Sequence, residues 1–193
     1  MSNVKGYTDK QLLAKVKSLP SFKGIPKDFW ILGVQSDEDA YNAFDDKFYL
    51  FFGEKFIMVT GGTTNAGAEG IKNYQEYHKL GVLVVKTNEW YHGLWRPGLH
   101  KGKMRALKQV RNIKFYRDGD RDTKIEEVGP MYEDIKGINF HTATYGTDAS
   151  FIRKLIGGWS TGCQVVNKYS DYIKILDKIG KQQDVSYCLL KEF

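Results

Sequence analysis

The segment Gly157–Val166, GGWSTGCQVV, has the composition of a tight turn that presents a nucleophile. Within it, Cys163 follows Gly162 and two small hydroxyl residues, Ser160 and Thr161. Glycine lets the backbone approach a substrate carbonyl closely, and we expect the N–H groups of Gly162 and Cys163 to face the oxyanion that develops there. The alternative is that Cys163 is a small buried hydrophobic residue, as a lone cysteine often is.

A cysteine nucleophile needs either a general base or a lowered thiol pKa. Among the four histidines, His141 has the most favourable position, since it follows the strand-like run Gly137–Phe140 and lies 22 positions before Cys163. Two strands joined by a connection of that length can place both side chains at one end of a sheet. We therefore expect His141 to be the base, whereas His78 and His92 are interpreted as surface or packing residues.

The order Phe140–Thr142, then Trp159–Cys163, resembles the catalytic signature of the L,D-transpeptidases. That signature has a strand ending in His followed by Ser, Thr or Gly, then Ser-His-Gly-Cys, an apolar residue, and Arg or Asn. In this sequence His141 corresponds to the base of the signature, and Thr142 to the small residue after it. Ser160, Gly162 and Cys163 correspond to its serine, its glycine and its nucleophile. Thr161 stands where the family has a second histidine, and Val165 stands where it has Arg or Asn.

A looser pattern is similar to a phage-associated branch of this family. Its segments are Asn42–Asp46, Gly62–Thr64, Gly98–Gly102, Tyr116–Asp118, Gly137–His141 and Trp159–Gln164. This resemblance implies an L,D-transpeptidase-like fold, and it makes phage virion or lysis proteins possible partners.

The resemblance also implies acyl transfer on peptidoglycan stem peptides. The sequence itself predicts no cofactor and no metal site. The Cys163 thiolate would attack a peptide carbonyl, and His141 would take the thiol proton and return it to the leaving amine. The thioester would pass to an amine, which is cross-linking, or to water, which is hydrolysis. A backbone carbonyl often orients the histidine in this family, so the scheme needs no third triad side chain.

Substrate contact is a further role that the sequence suggests for Trp95, His100, Arg117, Trp159 and Gln164. Arg117 could clamp a carboxylate; the alternative is a surface arginine paired with one of the aspartates that follow it. His100 and Trp95 could line a cleft, and the alternatives are an exposed loop and strand packing. Trp159 is either a pocket wall beside the cysteine turn or a core residue.

A second acidic motif has the spacing of a calcium loop, with Asp118, Asp120 and Asp122 at alternate positions. However, Thr123 occupies the place of the EF-hand glycine, and Gly129 that of its bidentate glutamate. A solvated hairpin turn is therefore the favoured interpretation, and the sequence predicts no metal site.

A sheet with two flanking helices must position these residues. The apolar spacing predicts a first helix between Thr8, as N-cap, and Pro20, and a second over Ser170–Ile179 that ends at Gly180. Strands are predicted over 30–34, 47–60 as a hairpin, 82–86, parts of 87–105, 109–116, 138–145 and 185–190, with 61–70 as a loop and 148–155 as a short helix or loop. The sum is an α+β fold with a mixed, mainly antiparallel sheet. We interpret residues 1–193 as one domain, with 1–20 as an N-terminal helical appendage.

Composition narrows the classes of protein. With 41% apolar and 27% charged residues, the chain can form a core. Its two cysteines, Cys163 and Cys188, are too few for a disulfide scaffold. The first twenty residues lack the apolar run of a signal peptide, and no stretch is apolar enough for a membrane span. We expect a protein that is cytoplasmic as made or associated with a virion, with its target in the periplasm or cell wall.

The net charge of +6 suits a polyanionic partner but is small for a dedicated nucleic-acid binder. The basic aromatic stretch Trp90–Arg105 contains no recognisable nucleic-acid motif, so nucleic acid is a low-ranked partner. Three classes therefore remain open: a cysteine transferase or hydrolase of the cell wall, a non-catalytic virion or structural protein with the same fold, and a basic module that binds glycan or nucleic acid.

Overall fold

The structure is a computed structural model that describes residues 4–76 and 78–193. Its helices are α1 (Asp9–Lys17), α2 (Ala68–Lys72) and α3 (Tyr169–Ile179), with a 3₁₀ turn at Tyr74–Glu76. Its strands are β1 (Phe29–Gln35), β2 (Asp46–Phe52), β3 (Lys55–Thr63), β4 (Val82–Val85), β5 (Glu89–His100), β6 (Met104–Gln109), β7 (Ile113–Asp118), β8 (Tyr132–Asp134), β9 (Phe140–Thr142), β10 (Gln164–Val166) and β11 (Val185–Lys191). Within the described ranges, no helix combines the length and the apolar character that crossing a membrane requires.

Eight strands form one closed sheet in the order β1-β11-β5-β6-β9-β10-β3-β2, and β2 pairs back onto β1. The pairs β1-β11 and β9-β10 are parallel, whereas the other pairs are antiparallel. The other three strands form a small antiparallel sheet in the order β4-β7-β8. The predicted α+β class with a mixed, mainly antiparallel sheet is confirmed.

Large apolar side chains fill the core and hold β9 in place. The ring of Trp95 lies 4.6 Å from that of Tyr187 and 5.7 Å from that of Phe140, measured between centroids. Helix α3 adds Tyr172 and Ile175 to the same cluster, and both side chains are buried. Because Phe140 is the first residue of β9, this packing fixes the strand that carries His141.

The first helix forms at the predicted position and packs on the sheet. Thr8 accepts a hydrogen bond from the Gln11 N–H, and the Gln11 side chain accepts one from the Thr8 N–H, which is a capping box. Leu12 and Val16 are buried in a second apolar cluster. Trp90 of β5 joins this cluster and donates through Nε1 to the Val16 carbonyl oxygen at 2.9 Å.

The glycine-rich segment 61–70, predicted as a loop, belongs partly to regular structure. Strand β3 continues to Thr63, and a third helix, α2, begins at Ala68. Gly62 pairs with both neighbouring strands, and a Cβ at this position would lie 2.4 Å from the Phe48 ring. The glycine is required because ring and strand approach closely, and composition alone does not distinguish that case from a turn.

The predicted strand 109–116 is two strands, since β6 ends at Gln109 and β7 begins at Ile113. The side chain of Gln109 accounts for the break: it accepts from the Ile138 N–H at 2.8 Å and donates to the Arg111 carbonyl oxygen at 2.9 Å. Gln109 thereby ties the start of the connection to the segment that leads into β9.

Candidate active site

The candidate base and nucleophile lie on neighbouring parallel strands. His141 is the central residue of β9, and Cys163 immediately precedes β10. The register places Gln164 opposite Phe140 and Val165 opposite His141. A parallel pair needs a long crossover connection, and the chain between 142 and 164 supplies it. Both side chains therefore lie where β10 begins.

A hydrogen-bonded turn presents Cys163. The Ser160 hydroxyl donates to the Cys163 carbonyl oxygen at 2.9 Å and accepts from the Gly162 N–H at 3.1 Å. The Thr161 carbonyl oxygen accepts from the Leu83 N–H of β4 at 3.1 Å. Gly162 has a φ of +133°, in the region that favours glycine. Ser160 and Thr161 thus support the turn and fix it to the smaller sheet.

This turn changes the predicted oxyanion site. The N–H of Gly162 is engaged by the Ser160 hydroxyl, so the expectation that it would face an oxyanion is wrong. The N–H of Cys163 makes no hydrogen bond within residues 4–76 and 78–193 and is the backbone donor that is left. The composition of a turn does not reveal which N–H a nearby hydroxyl will take.

Three side chains converge at the site. One ring nitrogen of His100, one of His141 and the Cys163 sulfur lie within 4.8 Å of one another. Nδ1 of His141 lies 2.8 Å from the Thr142 carbonyl oxygen. A carbonyl can only accept, so Nδ1 carries the proton and Nε2 the lone pair.

Nε2 of His141 is the free nitrogen of this ring. It is buried and has no hydrogen-bond partner within residues 4–76 and 78–193, and the residue is 1% exposed. The Thr142 carbonyl orients the ring, which is the role that the resemblance gives to the backbone. Cys163 is 8% exposed and is part of a small apolar cluster with Phe44 and Ile156. The Cys163 thiol donates to the Gly137 carbonyl oxygen at 3.6 Å, so the lone pair of Nε2 is not engaged by it.

From the sequence, His100 was expected either to line a cleft or to lie in an exposed loop. The residue is partly buried, and its ring stacks on that of His141. The ring centroids are 4.1 Å apart, and the planes meet at 27°. Nδ1 of His100 lies 3.1 Å from Nδ2 of Asn139. The side-chain oxygen of Asn139 accepts from the Gln109 N–H at 2.9 Å, which fixes the orientation of the amide.

Asn139 is a site residue that the sequence analysis missed. Besides the contact of its side chain with His100, its backbone N–H favours the thiolate form of Cys163 and so lowers the pKa of that thiol. A signal for it exists, because residues two apart in a strand share a face. Asn139 and His141 have that spacing, so an extended segment directs both to the same side.

Burial sets the protonation states of the site. It lowers the pKa of His141 to about 3, with a further contribution from His100, and it lowers the pKa of His100 to about 4. Burial raises the pKa of the Cys163 thiol and outweighs the Asn139 N–H and the Lys101 ammonium, which both favour the thiolate. The thiol and both imidazoles are therefore neutral at neutral pH, and the site does not lower the pKa of the Cys163 thiol.

Alkylation of Cys163 should show this raised pKa. Iodoacetamide reacts with the thiolate, so we expect slow modification at neutral pH and a rate that still rises beyond about pH 9. Peptide mapping by mass spectrometry over a pH series measures the rate at each cysteine. Cys188, which is fully buried, should remain unmodified in the folded protein. A Cys163 rate that reaches its plateau below pH 7 would instead indicate a preformed thiolate.

Trp95 and Gln164, proposed as substrate contacts, have no exposed surface. Trp95 donates through Nε1 to the Ile138 carbonyl oxygen at 2.8 Å, and the packing alternative describes it. Gln164 accepts from the Tyr187 hydroxyl at 2.5 Å and donates to the Thr64 carbonyl oxygen at 3.4 Å. Both residues are held inside the closed sheet, where a substrate does not reach them.

Trp159 and Arg117 line two different surface depressions. Trp159 packs against the cluster that contains Cys163 and lines an open depression of about 600 Å³. Arg117 lines a smaller one of about 210 Å³ together with Lys136. Lys136 directly precedes Gly137, whose carbonyl oxygen accepts the Cys163 thiol at 3.6 Å. Trp159 and Arg117 therefore remain candidates for substrate contact.

The acidic motif forms a turn. Asp118, Asp120 and Asp122 each accept a backbone N–H, from Glu126, Asp122 and Lys124 respectively, at 2.7–3.0 Å. These carboxylates therefore organise their own loop, as in the hairpin-turn interpretation.

The set His100, His141 and Cys163 has the ligand types that zinc prefers. One observation favours a hydrogen-bonded network instead, because Nδ1 of His100 is already engaged by the Asn139 amide at 3.1 Å. The same three side chains could also take part in proton transfer.

Comparison with known proteins gives no match to a protein-family model, to a curated protein or to a solved structure.

Proposed function

We propose that the protein is a cysteine-dependent acyltransferase or hydrolase in which Cys163 is the nucleophile and His141 the general base. The observation that carries this proposal is that a ring nitrogen of His141 lies within 4.8 Å of the Cys163 sulfur, in a ring whose buried Nε2 has no hydrogen-bond partner among the described residues. A nucleophile within reach of a base that a third group orients is the arrangement used for acyl transfer on several unrelated folds.

The reaction begins as the sulfur attacks the carbonyl carbon of a peptide bond. The thiol proton passes to Nε2 of His141 while the carbon–sulfur bond forms, and the carbonyl oxygen becomes an oxyanion. Collapse of this intermediate breaks the carbon–nitrogen bond. The imidazolium returns its proton to the leaving amine, and a thioester remains on Cys163. An amine or water then attacks the thioester and frees the sulfur.

The neutral resting pair fits this sequence of steps. Since burial disfavours both the thiolate and the imidazolium, charge separates only when a carbonyl is there to be attacked. The Thr142 carbonyl stabilises the imidazolium through Nδ1, and the Cys163 N–H is available to the oxyanion.

We propose peptidoglycan stem peptides as the substrate class. The support is the resemblance to the L,D-transpeptidase signature, together with the surroundings of the sulfur. Stem peptides carry carboxylates, and the cationic side chains of Arg117 and Lys136 line one depression. Trp159 lines a second depression and packs against the cluster that contains Cys163.

Mass spectrometry of muropeptides tests the proposal. Purified peptidoglycan is incubated with wild type, with Cys163→Ala and with Cys188→Ala, a matched replacement of the other buried thiol. We expect new cross-linked or shortened peptides with wild type and Cys188→Ala, and at least a thousandfold less product with Cys163→Ala. An unchanged profile with folded wild type would favour the structural-protein class. Association with DNA that weakens steeply with salt would favour the binding module.

A further inference from the structure

Among the described residues, the turn at Cys163 leaves one backbone donor, the Cys163 N–H, for an oxyanion, and a ring nitrogen of His100 lies within 4.8 Å of the sulfur. We propose that His100 is a third catalytic residue, which donates a hydrogen bond from Nε2 to the oxyanion of the tetrahedral intermediate. This inference rests on the proposed function, because the oxyanion forms only if Cys163 attacks a carbonyl.

A chain of hydrogen bonds sets the tautomer of His100. The Gln109 N–H donates to the side-chain oxygen of Asn139 at 2.9 Å, so the amide nitrogen must face the other way. That nitrogen lies 3.1 Å from Nδ1 of His100. An amide NH₂ group only donates, so Nδ1 accepts. A neutral His100 therefore has its proton on Nε2.

The charge of His100 suits a donor beside a second histidine. Burial, aided by Lys101, lowers the pKa of His100 to about 4, so the ring is neutral at neutral pH. His141 becomes cationic when it takes the thiol proton, and the two ring centroids are only 4.1 Å apart. A cationic His100 would oppose that step by repulsion, whereas a neutral N–H donor does not.

The position of His100 also fits the reacting atoms. The oxyanion is bonded to the carbon that the sulfur attacks, so it is separated from Sγ by that single carbon. Oxyanion donors act from about 3 Å. A His100 ring nitrogen within 4.8 Å of Sγ can thus reach an oxyanion that lies between them. The stack on His141 and the Asn139 bond hold the ring there.

Two replacements of His100 separate donation from packing. His100→Phe keeps a ring against His141 but has no donor, whereas His100→Gln keeps an N–H donor but has no ring. Donation predicts that His100→Phe lowers kcat by about 10²–10³ with little change in KM, and that His100→Gln retains much more of the activity. If the ring of His100 served only for packing, His100→Phe would instead retain more activity than His100→Gln.

A stem-peptide aldehyde gives a second readout, because its adduct with Cys163 carries the same oxygen. Its affinity should fall in His100→Phe by about the same factor as kcat. His92→Phe is the matched control, since His92 lies on the same strand and stacks on Trp90, and it should behave as wild type. Nitrogen-15 NMR of histidine-labelled wild type should show the His100 proton on Nε2, independently of any turnover.

The outcomes distinguish the two proposals. Three results would overturn the role of His100 while Cys163-dependent turnover stays intact. They are a wild-type kcat in His100→Phe, an equal loss of kcat in His100→Phe and His100→Gln, and a His100 proton on Nδ1. A wild type without Cys163-dependent turnover overturns both proposals.

Discussion

Replacing His141 with glutamine is expected to make the fold more resistant to acid while it removes the proposed base. Burial holds the pKa of His141 at about 3 in the folded protein, against about 6.5 in an unfolded chain. Because the folded pKa is the lower one, the unfolded state binds this proton first. The stability that this group contributes is complete above about pH 6.5 and is lost as the pH falls towards about 3. At pH 4 the loss is on the order of 3 kcal/mol.

Urea unfolding at about pH 7 and about pH 4 measures this effect. Between the two conditions, wild type should lose on the order of 3 kcal/mol more than His141→Gln. His78→Gln, which removes a partly exposed histidine, should follow the wild type closely. Equal losses in wild type and His141→Gln would mean that His141 takes up its proton in the fold as readily as in the unfolded chain.

The comparison with a variant is needed because a second buried group acts in the opposite direction. Burial raises the pKa of Asp46 to about 7, and the charge of Asp45 adds to the rise. An acid whose folded pKa is raised keeps its proton longer in the folded state, so stability increases as the pH falls from about 7 to about 4. Only the difference between the two chains isolates the imidazole of His141.

The parts of the fold that the sequence could predict depend on residues that are close together in the chain. The capping of α1, the apolar spacing of α3 and the glycine turn between β2 and β3 are signals contained in a few neighbouring residues. The pair Cys163 and His141 belongs to the same group, because a glycine turn and the end of a strand are local features. Their parallel pairing through β9 and β10 then brings the two residues together.

Contacts between distant segments explain what the sequence could not predict. His100 ends β5, and it meets His141 only because β6 joins β5 to β9 in the closed sheet. The same closure decides that Trp95 faces the core and not a cleft. The bond between the Ser160 hydroxyl and the Gly162 N–H depends on one side-chain rotamer, which residue type does not specify.

Replacing Gly162 with alanine is expected to destabilise the fold by about 3 kcal/mol and to displace the sulfur. The residue has a φ of +133°, where a side chain is strained. An added Cβ would also lie 2.6 Å from the Leu83 carbonyl oxygen and 2.8 Å from the Leu83 Cβ. Leu83 cannot easily retreat, because its N–H is bonded to the Thr161 carbonyl oxygen and its strand pairs with β7. The turn itself must therefore move, and Cys163 with it.

Gly24→Ala is the matched control, because Gly24 has a φ of +118° with no atom within 4 Å of an added Cβ. It measures the backbone strain alone, which should be about 1 kcal/mol. Urea unfolding gives both costs, and the alkylation rate of Cys163 at fixed pH reports the position of the sulfur. If strain were the whole effect, the two variants would lose the same stability. The larger loss expected for Gly162→Ala, with an altered alkylation rate, would show that the contact with β4 sets the position from which the sulfur reaches His141.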